Sequence, residues 1–320
     1  MQPTPLRSRI PLLTASLLAL SACGGSGGPP VLARVAISPE SSGIAPGQVQ
    51  AFVAGGEWSD GRQGRPRVAF ASTGGTISER GVFTAGVVPG AFRVTATPMG
   101  GGPTDTAIVV VGAHRTYTTS FPLMENPISE GGSWVDGEAV GREWSNVETG
   151  QGRATGLQCC RSYSDATALL TGDWRPDQQV TAVVFATRPR DDCFQEVELR
   201  LRSRLAPHIA SGYEISFKSS RSVEAYLIIV RWNGPFGDFT YLFNQNGREY
   251  GARNGDVVRA RIVGNVITAY KNGVMMAQVR DDTYVSGAPG MGFNLLTRAA
   301  GCSRTNRSYG FTRFTATDSV

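Results

Sequence analysis

The run QEVELRLRSR, Gln195–Arg204, places Glu196 and Glu198 two residues apart, on one face of a strand if the segment is extended. Two carboxyl groups about 5–5.5 Å apart are what retaining hydrolysis of a glycosidic bond requires, one as nucleophile and one as acid and base. Arg200 and Arg202 continue the alternation, so the same spacing also describes a salt-bridged, solvated strand face. Tyr270, in YKNGV, completes the set from which an unusual acid–base site could be built. His114 and His208 stand in a connecting segment and beside Pro207, with no partner in sequence for nucleophile or base work. A second kind of chemistry is legible in RWNGPFGDFTY, Arg231–Tyr241. Sugar rings stack on aromatic faces and polar side chains fix their hydroxyls, which makes Trp232, Asn233, Phe236 and Asp238 the candidate ligand-binding residues. Trp134, Trp144 and Trp174 are expected in the core. The pair Asp281–Asp282 could contribute oxygen ligands to a structural calcium, or simply solvate a turn. No other cofactor is expected.

What must position these residues is a chain of short strands. The 320 residues include 40 Gly and 18 Pro with 18% charged residues, and short alternating apolar runs recur between turn residues. Val258, Ala260 and Ile262 alternate with Arg259, Arg261 and Val263; Gly264–Asn265 and Asn272–Gly273 then read as successive hairpin turns. The expected class is all-β. Removing Arg7 and Arg9 with an N-terminal leader would take the formal charge from +5 to +3. No basic block stands out, which argues against nucleic acid as a partner.

That leader is expected over residues 1–22. Arg7 and Arg9 precede the apolar run Ile10–Leu20, too short for a membrane span but suited to an export signal. Leu20-Ser21-Ala22-Cys23 resembles the lipobox of bacterial lipoproteins, which implies cleavage before Cys23, lipidation of its thiol and attachment to a membrane through the lipid anchor. Gly24 after the cysteine resembles the outer-membrane sorting pattern, and residues 23–30 read as a flexible tether. The resemblance implies the bacterial cell envelope. Cys159, Cys160, Cys193 and Cys302 remain, an even number in a chain facing an oxidising space. Neighbours on a strand point to opposite faces, so each of Cys159 and Cys160 is expected to reach one of Cys193 and Cys302. CxxC spacing is missing, which leaves zinc unsupported.

Two domains follow. Over residues 31–112, PGQVQAFVA, STGGTIS, GVFTAG and VTAT resemble the bacterial Ig-like group 2 family, implying a β-sandwich spacer or adhesion module. A linker is expected at 113–118. Over residues 119–320, GDVVRARIVGNVITAYKNGVMMAQVR and SGAPGMGF resemble the concanavalin A-like lectin/glucanase superfamily, laminin-G-like domains included, which implies a jelly roll. The ExDxxE strand of that superfamily's retaining glucanases is missing; ELRLR and YKNGV only faintly resemble alginate-lyase strands, and the His-bearing strand of those enzymes is absent. The expectation is therefore a surface-anchored lipoprotein with a non-catalytic glycan-binding or adhesion module and a polysaccharide or glycan as partner. The alternatives are a polysaccharide lyase or glycoside hydrolase built around Glu196, Glu198, Arg200 and Tyr270, and a structural envelope protein without a sugar ligand.

Overall fold

In the run Val257–Val263 the even-numbered residues Val258, Ala260 and Ile262 are fully buried, while the odd-numbered ones stay at least partly exposed. The strand turns at Gly264–Asn265 into Val266–Lys271, and that strand turns at Asn272–Gly273 into Val274–Arg280. Asn272 and Gly273 have φ of 51° and 82°, the left-handed pair that a tight hairpin of this twist demands. In this computed structural model, which describes residues 28–112, 114–140, 144–158, 165–235, 237–295 and 302–320, local alternation of this kind repeats along nearly the whole chain. The all-β class is borne out.

Residues Val31–Val320 form one compact unit with two main apolar cores. The first gathers Val35, Ile37, Phe52, Phe83, Val94 and Val109 from the strands before Gly112. In PGQVQAFVA the inward face is that of Gln50 and Phe52, leaving Val49 58% exposed. The second core lies between two packed sheets. One is antiparallel and seven-stranded; its order in space is Trp134–Asp136, Ala166–Leu170, Ala288–Leu295, Gln195–Ala206, Ile209–Lys218, Tyr226–Pro235, Phe239–Asn246. It contributes Val197, Leu199, Tyr213, Ile215, Phe217 and Phe293, and the facing sheet contributes Val180, Ala182, Val258, Ile262, Phe311 and Phe314.

The facing sheet does not stop at the edge of this sandwich. Of residues 113–118, expected as a linker, Thr116 to Thr118 belong to the strand Thr116–Thr119, which pairs on one side with Tyr309–Thr317 and on the other with Ser41–Ile44. Ser41–Ile44 pairs in turn, in parallel, with Asp105–Val111. One twelve-stranded sheet therefore runs through both cores. Glu130, wholly buried at this junction, accepts hydrogen bonds from the Tyr117 hydroxyl, from Thr119 Oγ1 at 2.6 Å and from Trp134 Nε1 at 3.0 Å.

The cysteine pairing differs from expectation. Cys193, in the 3-10 turn Asp191–Cys193, is joined to Cys302, their Cα atoms 5.4 Å apart. The turn brings Cys193 within bridging distance of the segment before the last strand, so neither thiol is left for the CC pair. Cys159 and Cys160 lie outside the described residues, as do Cys23 and the leader.

Candidate functional site

The strand Gln195–Ala206 has a core face of Val197, Leu199 and Leu201, which throws Glu196, Glu198 and Arg200 together onto the outer face of the seven-stranded sheet. Register does the rest. Glu198 lies opposite Ser216 and Gly292, Arg200 opposite Glu214 and Gly290, and Glu196 opposite Lys218 and Asn294. Gly292 makes room: a Cβ there would stand 2.2 Å from Glu198 Oε2. Glu198 therefore lies flat over bare backbone.

The face is buried, contrary to the solvated strand expected. Glu196, Glu198, Arg200 and Glu214 are 6%, 0%, 2% and 3% exposed. Arg200 is the hub: Nη2 donates to Glu198 Oε2 at 2.6 Å and lies 3.4 Å from Asp165 Oδ2, while Nη1 is 2.7 Å from Glu214 Oε2. Arg202 does not join it. At a register shift between Leu201 and Arg204 its φ reaches 46°, turning the guanidinium to the carbonyls of Pro176, Tyr284 and Gly264.

Trp232 comes from Tyr226–Pro235, where Tyr226, Ile228, Val230 and Trp232 share the outer face. Its indole Nε1 donates to Glu214 Oε2 at 2.6 Å, and its ring meets Trp144 at 6.1 Å and Phe239 at 5.3 Å between centroids. Trp144, expected in the core, instead helps cover this outer face, in a small apolar cluster with Val230 and Trp232. Next to it opens a cleft of about 330 Å³. Its rings are Trp232, Phe239, Tyr241, Tyr226 and Phe194; its polar lining is Asp165, Glu196, Glu214 and the amides of Asn244, Asn246 and Asn294. Glu196 sits in this wall, accepting from the Tyr226 hydroxyl and from Asn294 Nδ2. A cleft of about 380 Å³ near Arg34, Glu57 and Met124 contains no aromatic ring, so it offers nothing for a sugar to stack on.

Electrostatics follow from burying four carboxylates around one guanidinium. Burial, reinforced by the charge of Glu214, pushes Asp165 up to about 8, and burial pushes Glu196 up to about 7 against the hydrogen bond from Tyr226. Glu198 is raised well above the ordinary carboxylate range, by burial and then by the charges of Glu214 and Asp165. For Arg200 burial works against the charge, but the three carboxylates outweigh it and the cation is held more firmly than usual.

Several expected site residues fall elsewhere. Tyr270 is on Val266–Lys271 in the opposite sheet, with Arg259 stacked 3.9 Å from its ring centroid, so it cannot act with Glu196 and Glu198. Asn233 and Asp238 bind each other across the hairpin at 2.9 Å and close it rather than line the cleft. Phe236 lies outside the described residues. Asp281, named as a calcium candidate with Asp282, accepts from Tyr213 Oη, Arg231 Nη1 and the Thr283 amide, while Asp282 is exposed. Burial would raise Asp281, but these donors and the Arg231 charge hold it below the ordinary carboxylate range. Asp165, Glu214, Tyr226, Phe239, Tyr241 and the asparagines carried no signal by spacing, because the site gathers them from three strands besides Phe239–Asn246 and from the residue before Ala166–Leu170.

No protein-family model matches the chain, and no curated relative does. Among solved structures, the carbohydrate-binding module CBM66 from Bacillus subtilis has a TM-score of 0.38 at 10% identity, covering 58% of this chain and 91% of that one. Bacillus licheniformis beta-glucanase has a TM-score of 0.37 at 14% identity, covering 63% of this chain and 94% of that one. A GH43 protein from Bacillus licheniformis has a TM-score of 0.41 at 12% identity, covering 83% of this chain and 50% of that one.

Proposed function

We propose that the cleft over the seven-stranded sheet binds a glycan without turning it over, and that the protein carries this site on a lipid anchor at Cys23 in a bacterial envelope, with the N-terminal Ig-like sandwich as spacer. The observation that supports binding is the lining: five aromatic rings beside three asparagines and three carboxylates, the mixture that stacks a pyranose and fixes its hydroxyls. Arg200 argues against catalysis, since it occupies Oε2 of both Glu198 and Glu214, the groups that would have to move protons or attack.

The test is a glycan array with the full chain, paired with reducing-sugar and unsaturated-product assays on whatever is retained. Retention without turnover is expected, weakened by Trp232→Ala. Tyr241 lines the same cleft and is 53% exposed, so Tyr241→Ala tests the ring without disturbing the core. One observation favours hydrolysis as a second reading: Glu196 sits in the cleft wall with its carboxyl pushed up to about 7, the range of a general acid. Turnover abolished by Glu196→Gln would install that reading in place of binding. No binding and no turnover across the array would leave an envelope protein with a structural role. The anchor is tested separately: Cys23→Ala should no longer partition with membranes or take up labelled fatty acid, and unchanged retention would remove it.

A further inference from the structure

The lining of the cleft includes Asp165, Glu196 and Glu214 and, among the described residues, no lysine, arginine or histidine. The cation beneath it is already committed: the two Nη atoms of Arg200 contact Glu198, Glu214 and Asp165. Lys218, the other buried cation on this face, donates to the Asp191 carbonyl at 2.7 Å and lies over the rings of Phe194 and Tyr226. Acid groups, which burial keeps largely protonated near neutral pH, are therefore in excess over bases in the lining. Asp165 Oδ1 and Glu198 Oε1 are the least satisfied, for neither has a hydrogen-bond partner among the described residues, although Asp165 is 4% and Glu198 0% exposed. A buried carboxyl oxygen without a hydrogen-bond partner is costly to the fold.

We infer that the cleft selects glycans bearing a free primary amine, as in 2-amino-2-deoxy sugar units, over glycans bearing uronic acids. The inference rests on the reading that this cleft binds glycans. An ammonium has three N–H donors on one nitrogen. Reaching in from a pyranose stacked on the exposed ring of Tyr241, a free amine meets the carboxyl groups of Asp165, Glu196 and Glu214 in the lining and can take up a proton that burial holds there. A uronate would instead bring another acid into a lining that has no lysine, arginine or histidine among the described residues to meet it. A bare metal ion fits less well. Asp165, Glu198 and Glu214 do offer one oxygen each within 4.8 Å of one another, but Arg200 contacts all three, so the ion would sit beside a guanidinium. The aromatic wall would also have no part in holding it.

The experiment measures affinity of the full chain, at one neutral pH and fixed ionic strength, for three oligosaccharides of equal length: a chitosan oligomer, its fully N-acetylated counterpart and an oligogalacturonate. The chitosan oligomer should bind about tenfold or more tighter than the acetylated one, a difference of about 1.4 kcal/mol, and the galacturonate should not be retained. Raising the salt should erode the amine preference. Asp165→Asn should bring the ratio towards one, and if that variant does not fold, the salt dependence of the unaltered chain carries the test alone. Equal affinity for the amine and acetylated oligomers, or a preference for the galacturonate, would overturn the inference, as would retention that depends on added calcium rather than on the amine. Binding of the acetylated oligomer with no amine preference removes this inference only. Failure of every glycan on the array removes the binding reading itself.

Discussion

Arg200 is surrounded by Glu198, Glu214 and Asp165 in a setting where it is 2% exposed, so its charge is worth far more here than on a surface. Replacing Arg200 leaves three buried acid groups without the cation that satisfies them. Arg200→Met is therefore expected to destabilise the protein by about 3–5 kcal/mol, read from urea unfolding, and by more above about pH 8, where the carboxyl groups left without a counter-charge ionise. A loss no larger than that of an exposed ion pair, below about 1 kcal/mol, would mean that the cluster is solvated after all. Glu196 and Glu198 could be named from their spacing because alternation is a property of one strand. That they were buried could not, since burial of the outer face depends on Trp144 and on neighbouring strands that supply Asn294, Glu214 and Trp232.

Two elements tie distant parts of the chain together. The bridge between Cys193 and Cys302 closes a loop over a sequence separation of 109, long enough for loop-closure entropy to contribute on the order of 4–5 kcal/mol. Cys193→Ser should cost about 2–5 kcal/mol, and non-reducing peptide mapping should recover Cys193 linked to Cys302. Recovery of either one linked to the peptide containing Cys159 and Cys160 would refute that pairing. The strand Thr116–Thr119 is the second tie, paired on both sides. Thr118→Pro removes a ladder donor from the middle of the sheet and should cost about 3 kcal/mol or more. Hydrogen exchange should then show weaker protection on both Ser41–Ile44 and Tyr309–Thr317; a loss confined to one side would contradict the shared strand. The segment read as a linker because Gly112-Ala113-His114 has no apolar alternation. Its pairing partners are Ser41–Ile44, far upstream, and the chain's last strand, and no local pattern announces either.

At the scale of the molecule, the buried acids set how stability responds to pH. Asp136 and Glu196 are pushed up to about 7 and Asp165 to about 8, in each case first by burial. In the unfolded chain the same groups titrate near 4. The folded state therefore binds more protons between those values, so their stabilising contribution is complete below about 4 and is lost as the pH climbs through about 7–8. The melting temperature should fall by on the order of 5 °C or more between about pH 5 and about pH 9. A melting temperature that rises over that interval would mean these carboxylates are ionised and satisfied in the fold.

The sequence by itself determined the class and the local geometry: period-two alternation, Asn-Gly turns and glycine-rich breaks specify strands and hairpins through interactions between near neighbours. It also determined which residues of one strand share a face, which is why Glu196, Glu198 and Arg200 could be grouped. Only the tertiary structure decided which face was covered, that Tyr270 belongs to the opposite sheet, that Cys193 meets Cys302, and that one sheet runs through both cores. Each of these is set by pairing and packing between segments far apart in the chain. Such contacts depend on how whole sheets assemble around their apolar faces, and the spacing of residues along a single strand contains no trace of them.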